Sequence, residues 1–182
     1  LEELKRFDCG SWFHSSFAGE RIPTLREVLK NVGKKRWMNI EMKGDFFLRD
    51  KDRFVQRVVE TVAECGANKH VLVSSFTHDL VGKVRNVNPT LATGVIYNIY
   101  RDFGRLPSKL ASRVGAKVFV CAKHELHKMM IRDARQHGLA VYVYTLNSYA
   151  DVRRMIEFGV DGIISDNADD LVEMVKRSTS AA

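Results

Sequence analysis

Short apolar runs typical of buried β-strands recur along the chain, and most of them follow a glycine or a turn by a few residues. There are six such runs: Trp37–Met42, Val71–Phe76, Leu91–Tyr97, Lys117–Cys121, Ala140–Thr145 and Gly162–Ser165. Segments with helical periodicity separate them, and in residues 54–62 the apolar positions form one stripe that stops before Gly66. The pattern therefore predicts that strands and helices alternate.

Helix start signals support the same division of the chain. Thr24 and Glu27 have the spacing of a capping box ahead of an apolar stripe, and Gly33 is positioned to close that helix. Ser148 and Asp151 repeat the capping spacing before a later helix. Alternating strands and helices of this length predict a parallel α/β sheet with right-handed crossovers, either doubly wound or closed into a barrel. Periodicity alone does not choose between the two.

The first predicted strand has two chemically different faces. Asn39, Glu41 and Lys43 alternate with Met38, Ile40 and Met42, so the polar side chains point one way and the apolar ones the other. In a barrel the polar end of such a strand would face the site. A Glu41–Lys43 ion pair at a solvated strand end explains the same pattern, and this strand does not distinguish the two.

Length and charge restrict the class of protein. With 182 residues, 45% of them hydrophobic, the chain is predicted to form one domain over residues 1–177, followed by a frayed tail, 178–182. The formal net charge of +7 favours anionic partners, but the basic residues are scattered and predict no nucleic-acid surface. Cys9, Cys65 and Cys121 lack the spacing of a zinc site or a small disulfide framework, which predicts reduced, buried thiols.

No apolar stretch reaches the length of a transmembrane helix, and the N-terminus does not resemble a signal peptide. These features predict a soluble, cytoplasmic protein without a transmembrane segment. A signal upstream of Leu1 would change the localisation, because the chain does not begin with methionine.

Four stretches near the N-terminus form one block of distinctive sequence: Leu1–Leu4, Asp8–Phe13, Phe17–Leu25 and Glu27–Leu29. This block closely resembles the glycerophosphodiester phosphodiesterase family, which has a phosphatidylinositol-phosphodiesterase-like barrel. Shorter stretches similar to family strand ends follow in order: Asn39–Lys43, Ser74–Phe76, Tyr144–Asn147 and Gly159–Asp166. The first block is highly specific, whereas each later match gains its weight from the common order.

The resemblance implies a TIM (β/α)8 barrel that hydrolyses small glycerophosphodiesters to glycerol 3-phosphate and an alcohol, with bound calcium or magnesium, as part of lipid metabolism. Glu41 matches a family metal ligand, and Lys43 matches the lysine near the phosphate. A carboxylate suits a hard divalent cation, and an ammonium suits phosphate oxygens. Phe76 and Tyr144 are expected to form an apolar wall against the glycerol or alcohol moiety, although core packing explains these aromatic residues equally well.

Several family elements do not occur in this sequence. They are a His-Arg-Gly element on the first strand, a Glu-x-Asp pair on the second and a His-Asp pair soon afterwards. The resemblance assigns to them the two catalytic histidines and two of three metal carboxylates, and no catalytic residue is therefore assigned here. About six of eight βα units are expected in this chain, with an N-terminal segment or a second subunit covering the barrel edge.

The histidines that are present are weaker candidates. His124 and His127 are three apart at a predicted helix start, and His78 follows a predicted strand end, but no motif places a carboxylate beside any of them. His137 precedes Gly138 at a helix end, where an imidazole interacts favourably with the helix dipole.

Three functions remain open at this point. The first is a metal-dependent phosphodiester hydrolase whose activity needs more than residues 1–182. The second is an inactive relative that binds a phosphodiester or a protein partner. The third, an unrelated phosphate-binding barrel enzyme, is disfavoured by the specific N-terminal block.

Overall fold

The computed structural model describes residues 1–32, 36–44 and 48–179. Its six strands form one parallel sheet whose order in space follows their order in the chain. The strands are β1 (Met38–Glu41), β2 (Val71–Ser75), β3 (Ala92–Ile96), β4 (Val118–Ala122), β5 (Ala140–Tyr144) and β6 (Gly162–Ile163). Each overlaps one predicted apolar run. Five are shortened by one to two residues at one or both ends, and β4 starts and ends one residue later than its predicted run, Lys117–Cys121. This arc corresponds to six of the eight units of a TIM barrel, as predicted.

Helices follow every strand in the described residues and cover one face of the sheet. They are α1 (Leu25–Val32), α2 (Lys51–Glu64), α3 (His78–Val87), α4 (Ile99–Asp102), α5 (Pro107–Ser112), α6 (Lys128–Gln136), α7 (Tyr149–Phe158) and α8 (Ala168–Thr179). Short 3-10 turns lie at Leu4–Arg6, Ser15–Phe17 and Asn68–His70. Helix α8 extends two residues into the predicted tail, and residues 180–182, like Gly33, lie outside the described residues.

Both predicted capping devices are present. The Glu27 carboxylate accepts hydrogen bonds from the backbone N–H and the hydroxyl of Thr24 at the start of α1. A hydrogen bond from the Lys5 ammonium, followed by the bonds from Thr24, lowers the pKa of Glu27 to about 2. At α7, the Ser148 hydroxyl accepts from the Asp151 N–H at 3.2 Å.

Two apolar clusters pack between the sheet and its helices. One surrounds β1 and β2 and includes Leu29, Val55, Val62 and Leu80. The other surrounds the strands from β3 onward and includes Val81, Phe119, Val143 and Met155. Both clusters take residues from α3. A third cluster, with Leu72, Ile96, Val118 and Val120 at its centre, fills the opposite, concave face.

The structure bears on the expectation that the cysteines are reduced, buried thiols. Cys65 and Cys121 are buried free thiols, as predicted, whereas Cys9 is only half-buried because it lies in the exposed N-terminal loop. Burial, followed by the nearby Glu125 carboxylate, raises the pKa of the Cys121 thiol to about 12.

Within the described ranges, none of the helices combines the length and apolar character needed to cross a membrane.

Candidate active site

The polar face of β1 opens into a pocket at the carboxyl ends of the strands. The pocket has a volume of about 190 Å³ and includes Glu41, Phe76 and Tyr144 in its lining, from β1, the end of β2 and β5. These are three of the four residues selected from the sequence. Asn39, two positions before Glu41, also lines the pocket, as the alternation along β1 predicts.

The two aromatic residues serve as both packing and pocket wall. Their rings meet edge to face, with centroids 6.4 Å apart and an interplanar angle of 85°. Both are half-buried against the concave apolar cluster while still lining the pocket. Burial, and to a smaller extent neighbouring acidic groups, raises the pKa of Tyr144 to about 12. Its phenol therefore stays protonated at neutral pH and acts as a neutral hydroxyl.

Lys43 lies just beyond β1, is exposed, and is not part of the pocket lining. Its backbone is nevertheless fixed on both sides. The Ser75 hydroxyl donates to the carbonyl of Met42 at 2.5 Å, and the Thr77 hydroxyl donates to the carbonyl of Gly44 at 3.0 Å. Ser75 and Thr77 thus determine where the Lys43 side chain leaves the main chain, two residues beyond the lining residue Glu41.

Close packing leaves little room for a side chain at Gly44. A Cβ atom there would lie 2.7 Å from Leu80 Cδ1 and 3.0 Å from Thr77 Oγ1. Glycine therefore lets the main chain lie against Leu80 of α3 directly after Lys43. Among the described residues, Glu41 and Lys43 form no ion pair with each other, which removes the main support for the solvated ion-pair interpretation.

Short segments behind the pocket support its walls. Arg101 Nη2 donates to the carbonyl of Phe76 at 2.9 Å, and His78 Nε2 lies 3.0 Å from the carbonyl of Ile96, another lining residue. Asp102 is buried, and its carboxylate lies 3.8 Å from His78 Nε2. The placement of this carboxylate beside His78 was not predictable from the sequence, because Asp102 belongs to the four-residue helix α4, which has no motif or periodicity.

The same contacts assign His78 a structural role, because its Nε2 is occupied by a backbone carbonyl. His124 and His127 are exposed and lie before α6, whose first residue is Lys128. Neither lines the pocket. His137 closes the carboxyl end of α6, with Nδ1 2.8 Å from the carbonyl of Asp133, which confirms the predicted placement at a helix end.

The loops after β5 and β6 are joined through Asn147. Its Oδ1 accepts from the Ser165 hydroxyl at 2.9 Å and from the Asp166 N–H at 3.1 Å, while its amide donates to the Asp166 carboxylate. The peptide bond between Tyr144 and Thr145 is cis. Two of the stretches that carry the sequence resemblance, Tyr144–Asn147 and Gly159–Asp166, therefore meet at one edge of the pocket.

The residues described here do not complete a site for a divalent ion. Glu41 is the one carboxylate in the pocket lining, and no group of three or more His, Cys, Asp or Glu side chains is arranged to hold a metal in the described part of the chain. Calcium takes about six to eight oxygen ligands, and magnesium demands near-octahedral coordination. Glu41 thus offers one suitable ligand, and an ion would need others from elsewhere.

The N-terminal loop is organised around Asp8. Its carboxylate accepts hydrogen bonds from the N–H groups of Gly10, Ser11 and Gly19. These bonds, led by those from Ser11 and Gly19, hold the pKa of Asp8 well below its usual range. Asp8 thus fixes the loop that contains the most specific block of the resemblance.

Comparison with known proteins agrees with the resemblance that was seen in the sequence. A glycerophosphodiester phosphodiesterase of Caldanaerobacter subterraneus subsp. tengcongensis is 31% identical over 179 residues, which cover 97% of this chain and 71% of the relative. Among solved structures, an Oleispira antarctica phosphodiesterase in complex with the product sn-glycerol-3-phosphate superposes with a TM-score of 0.84 at 20% identity, covering 97% of this chain and 70% of that one. A glycerophosphodiester phosphodiesterase from Parabacteroides distasonis gives 0.80 at 20% identity, covering 97% and 71%.

The two solved structures show that this chain shares their fold. The sequence itself also matches a family. The sequence model of the glycerophosphoryl diester phosphodiesterase family matches residues 1–170, from the loop organised by Asp8 to the start of α8. Every strand end that forms the pocket lies inside this range. The chain therefore belongs to the glycerophosphoryl diester phosphodiesterase family.

Proposed function

We propose that this chain supplies the phosphate-binding side of an enzyme that hydrolyses glycerophosphodiesters to glycerol 3-phosphate and an alcohol. The observation that carries the proposal is the convergence of Glu41, Phe76 and Tyr144 on one pocket at the carboxyl ends of the strands, with Lys43 two residues beyond Glu41 in the chain. Barrel enzymes place their chemistry at this end of the sheet. The family relatives named above support the substrate class.

The residues of this chain suggest a division of roles. The Lys43 ammonium would attract the phosphodiester anion, while the Phe76 ring and the protonated Tyr144 phenol would contact the glycerol or alcohol portion. Glu41 has the opposite charge to Lys43 and would repel a phosphate that enters the same pocket. A carboxylate in that position is favourable when a cation lies between it and the phosphate, and for this reason we propose Glu41 as one ligand of calcium or magnesium.

Proton transfer is the part that these residues do not supply. No histidine lines the described pocket, and Tyr144 holds its proton too firmly to act as a base at neutral pH. We therefore propose that residues 1–182 bind a glycerophosphodiester better than they hydrolyse it. Turnover would need an additional segment or a second subunit beside β1 and β6, the two strands that have only one neighbour in the described sheet.

The same observation favours a second candidate function. A protein with one pocket carboxylate and no pocket histidine has the chemistry of an inactive relative that binds a phosphodiester without turnover. The two functions share the pocket and differ in what completes it. They are separated by an assay that compares hydrolysis by residues 1–182 alone with hydrolysis after an upstream segment is added.

The binding step can be tested by observing the aromatic residues during titration with glycerophosphocholine. We expect the side-chain NMR signals of Phe76 and Tyr144 to shift saturably, because both rings line the pocket. Phe103, which is 81% exposed and outside the lining, is the internal control and should not shift. Signals of Phe76 and Tyr144 that remain unchanged up to millimolar ligand would contradict the proposed site.

A further inference from the structure

A second cavity, lined by both apolar and polar residues, lies at the opposite end of the sheet from the candidate active site. It has a volume of about 270 Å³, and its lining includes Arg85, Ser112, Gly115, Lys117 and His137. Lys117 directly precedes β4, and His137 lies shortly before β5, so the cavity is at the amino ends of these strands. Glu41 and Tyr144 end β1 and β5 at the carboxyl side. The two cavities are therefore physically separate.

The guanidinium of Arg85 is held in place at this cavity. Its Nη1 donates to the carbonyl of Pro89 at 2.6 Å. Gly115 has a φ of +69°, and a Cβ atom at this position would be 3.2 Å from Arg85 Nε. The missing side chain lets the guanidinium lie against the loop before β4. Arg85 thus reaches the cavity with little freedom left to lose when a ligand binds.

His137 adds a second polar group from α6. Its Nδ1 lies 2.8 Å from the carbonyl of Asp133, and since a carbonyl only accepts hydrogen bonds, Nδ1 carries a proton. Nε2 is then the ring atom available to a ligand, and it donates a hydrogen bond only when the imidazole is protonated.

The charges around the cavity are unbalanced. Neither Arg85 nor Lys117 takes part in an ion pair with a carboxylate of the described residues. The nearest acidic group to His137 is Asp133, with Oδ1 3.5 Å from Nδ1. That buried carboxylate already accepts from the N–H and the hydroxyl of Ser108, at 2.7 and 2.9 Å. Arg85 and Lys117 therefore bring two positive charges to a small cavity, and neither charge is paired with a carboxylate in the part of the chain that the structure describes.

We propose that this cavity binds a tetrahedral oxyanion of the phosphate class, either inorganic phosphate or a phosphate monoester. Arg85 supplies a planar set of N–H donors, Lys117 a compact positive charge and Ser112 a hydroxyl. The site is independent of the proposed phosphodiester pocket, because no residue lines both.

The test is an NMR titration of residues 1–182 with inorganic phosphate at constant ionic strength. We expect saturable shifts of the backbone amides of Gly115, Lys117 and His137. Lys117→Gln should raise the dissociation constant roughly three- to tenfold, the loss expected for one partly exposed charge-assisted hydrogen bond. Lys69→Gln is the matched control, because Lys69 is also exposed, precedes β2 at the same end of the sheet and does not line the cavity. It should leave the dissociation constant unchanged.

The two ligand sources are distinguished by repeating the titration with glycerol 3-phosphate. Tighter saturation at Gly115 and His137 by the ester would identify a phosphate monoester as the ligand, and tighter saturation by inorganic phosphate would identify the free ion. Shifts confined to the neighbourhood of Glu41 and Tyr144 would overturn the second site. The same conclusion would follow if Lys117→Gln and Lys69→Gln gave equal dissociation constants.

Discussion

At the scale of single residues, the charge of Glu41 is the most informative feature of the candidate site. It lines a pocket proposed for an anion, and Lys43, the nearest basic residue in sequence, forms no ion pair with it in the described structure. A carboxylate in this position either weakens anion binding or strengthens it through a cation. The two cases predict opposite effects of removing the charge.

For Glu41→Gln we expect an effect that reverses with the presence of a divalent ion. In chelator, the variant should bind glycerol 3-phosphate about two- to fivefold more tightly, because a screened repulsion is removed. In millimolar calcium or magnesium it should bind about tenfold more weakly than the parent, because a ligand of the ion is lost. Calorimetric titration measures both. Glu20→Gln, an exposed residue outside the pocket, is the control, and an effect of the same sign in both conditions would remove Glu41 from an ion site.

Lys43→Met should weaken the binding of glycerol 3-phosphate about five- to thirtyfold, because one hydrogen bond between charged groups is lost. Divalent-ion affinity should not fall, in contrast to Glu41→Gln. Lys69→Met changes the same charge at the opposite end of the sheet and should have no effect. Parental affinity in Lys43→Met would show that the ammonium stays in solvent.

The sequence located some of these residues and missed others for identifiable reasons. Period-two alternation was enough to place Asn39 and Glu41 on one face, because a strand has a fixed geometry. Ile96, Val120 and Ile164 also line the pocket, but in sequence they are ordinary members of apolar runs. Arg101 supports Phe76 from a four-residue helix, and the exact conformation of such a short connection depends on tertiary contacts that no local pattern encodes.

At the scale of elements, the six strands were predictable because each is an apolar run between turn signals. Their ends were less so. The run from Trp37 was predicted as strand, yet Trp37 is 69% exposed and β1 begins at Met38. Helix α8 continues to Thr179 although the sequence suggested fraying from Ser178. Hydrophobicity reports burial, whereas strand and helix ends depend on hydrogen bonds.

Ser148→Ala tests the cap of α7. The Ser148 hydroxyl accepts from the Asp151 N–H and donates to the Asp151 carboxylate, and loss of such a cap costs about 1 kcal/mol. The expected result is a decrease of about that size in the free energy of unfolding by urea, with an unchanged slope. Ser112→Ala is a suitable control, because its hydroxyl makes only a long 3.4 Å bond to the carbonyl of Lys109. Equal losses in both variants would argue against the cap.

At the scale of the whole molecule, the pocket is bounded by strands at only part of its circumference. Strands β1 and β6 each have a single neighbour in the described sheet. The chain spans about 70% of the length of the curated relative and solved structures compared above. Chemistry that a closed barrel would bring to the pocket between β1 and β6 is therefore not provided by the residues described here.

We expect residues 1–182 alone to show no measurable hydrolysis of glycerophosphocholine or glycerophosphoethanolamine, even with saturating calcium or magnesium. The reason is the lack of a base and an acid in the described pocket, and loss of such proton transfer typically removes about 10²–10⁴-fold in rate. The assay is the release of glycerol 3-phosphate, with a chelator control.

The matched arm of this assay adds an upstream segment that contains His-Arg-Gly and Glu-x-Asp elements, supplied by fusion. Turnover in this arm alone would support the hydrolase over the inactive relative. Fast, chelator-sensitive turnover by residues 1–182 would contradict the proposed division of roles. The candidates for proton transfer would then be His78, His124 and His127.

The division of the helix-side core into two clusters has a consequence for how the molecule opens. On the helix side, the cluster around β1 and β2 shares only α3 with the cluster that begins at β3, so we expect the amino-terminal part to open at a lower free energy than the remainder. Amide hydrogen exchange should therefore be faster in β1, which has one neighbouring strand, than in β4, whose five residues are all buried. Mass spectrometry of peptic fragments would resolve the two, and a single exchange rate for both strands would show that the molecule opens only as a whole.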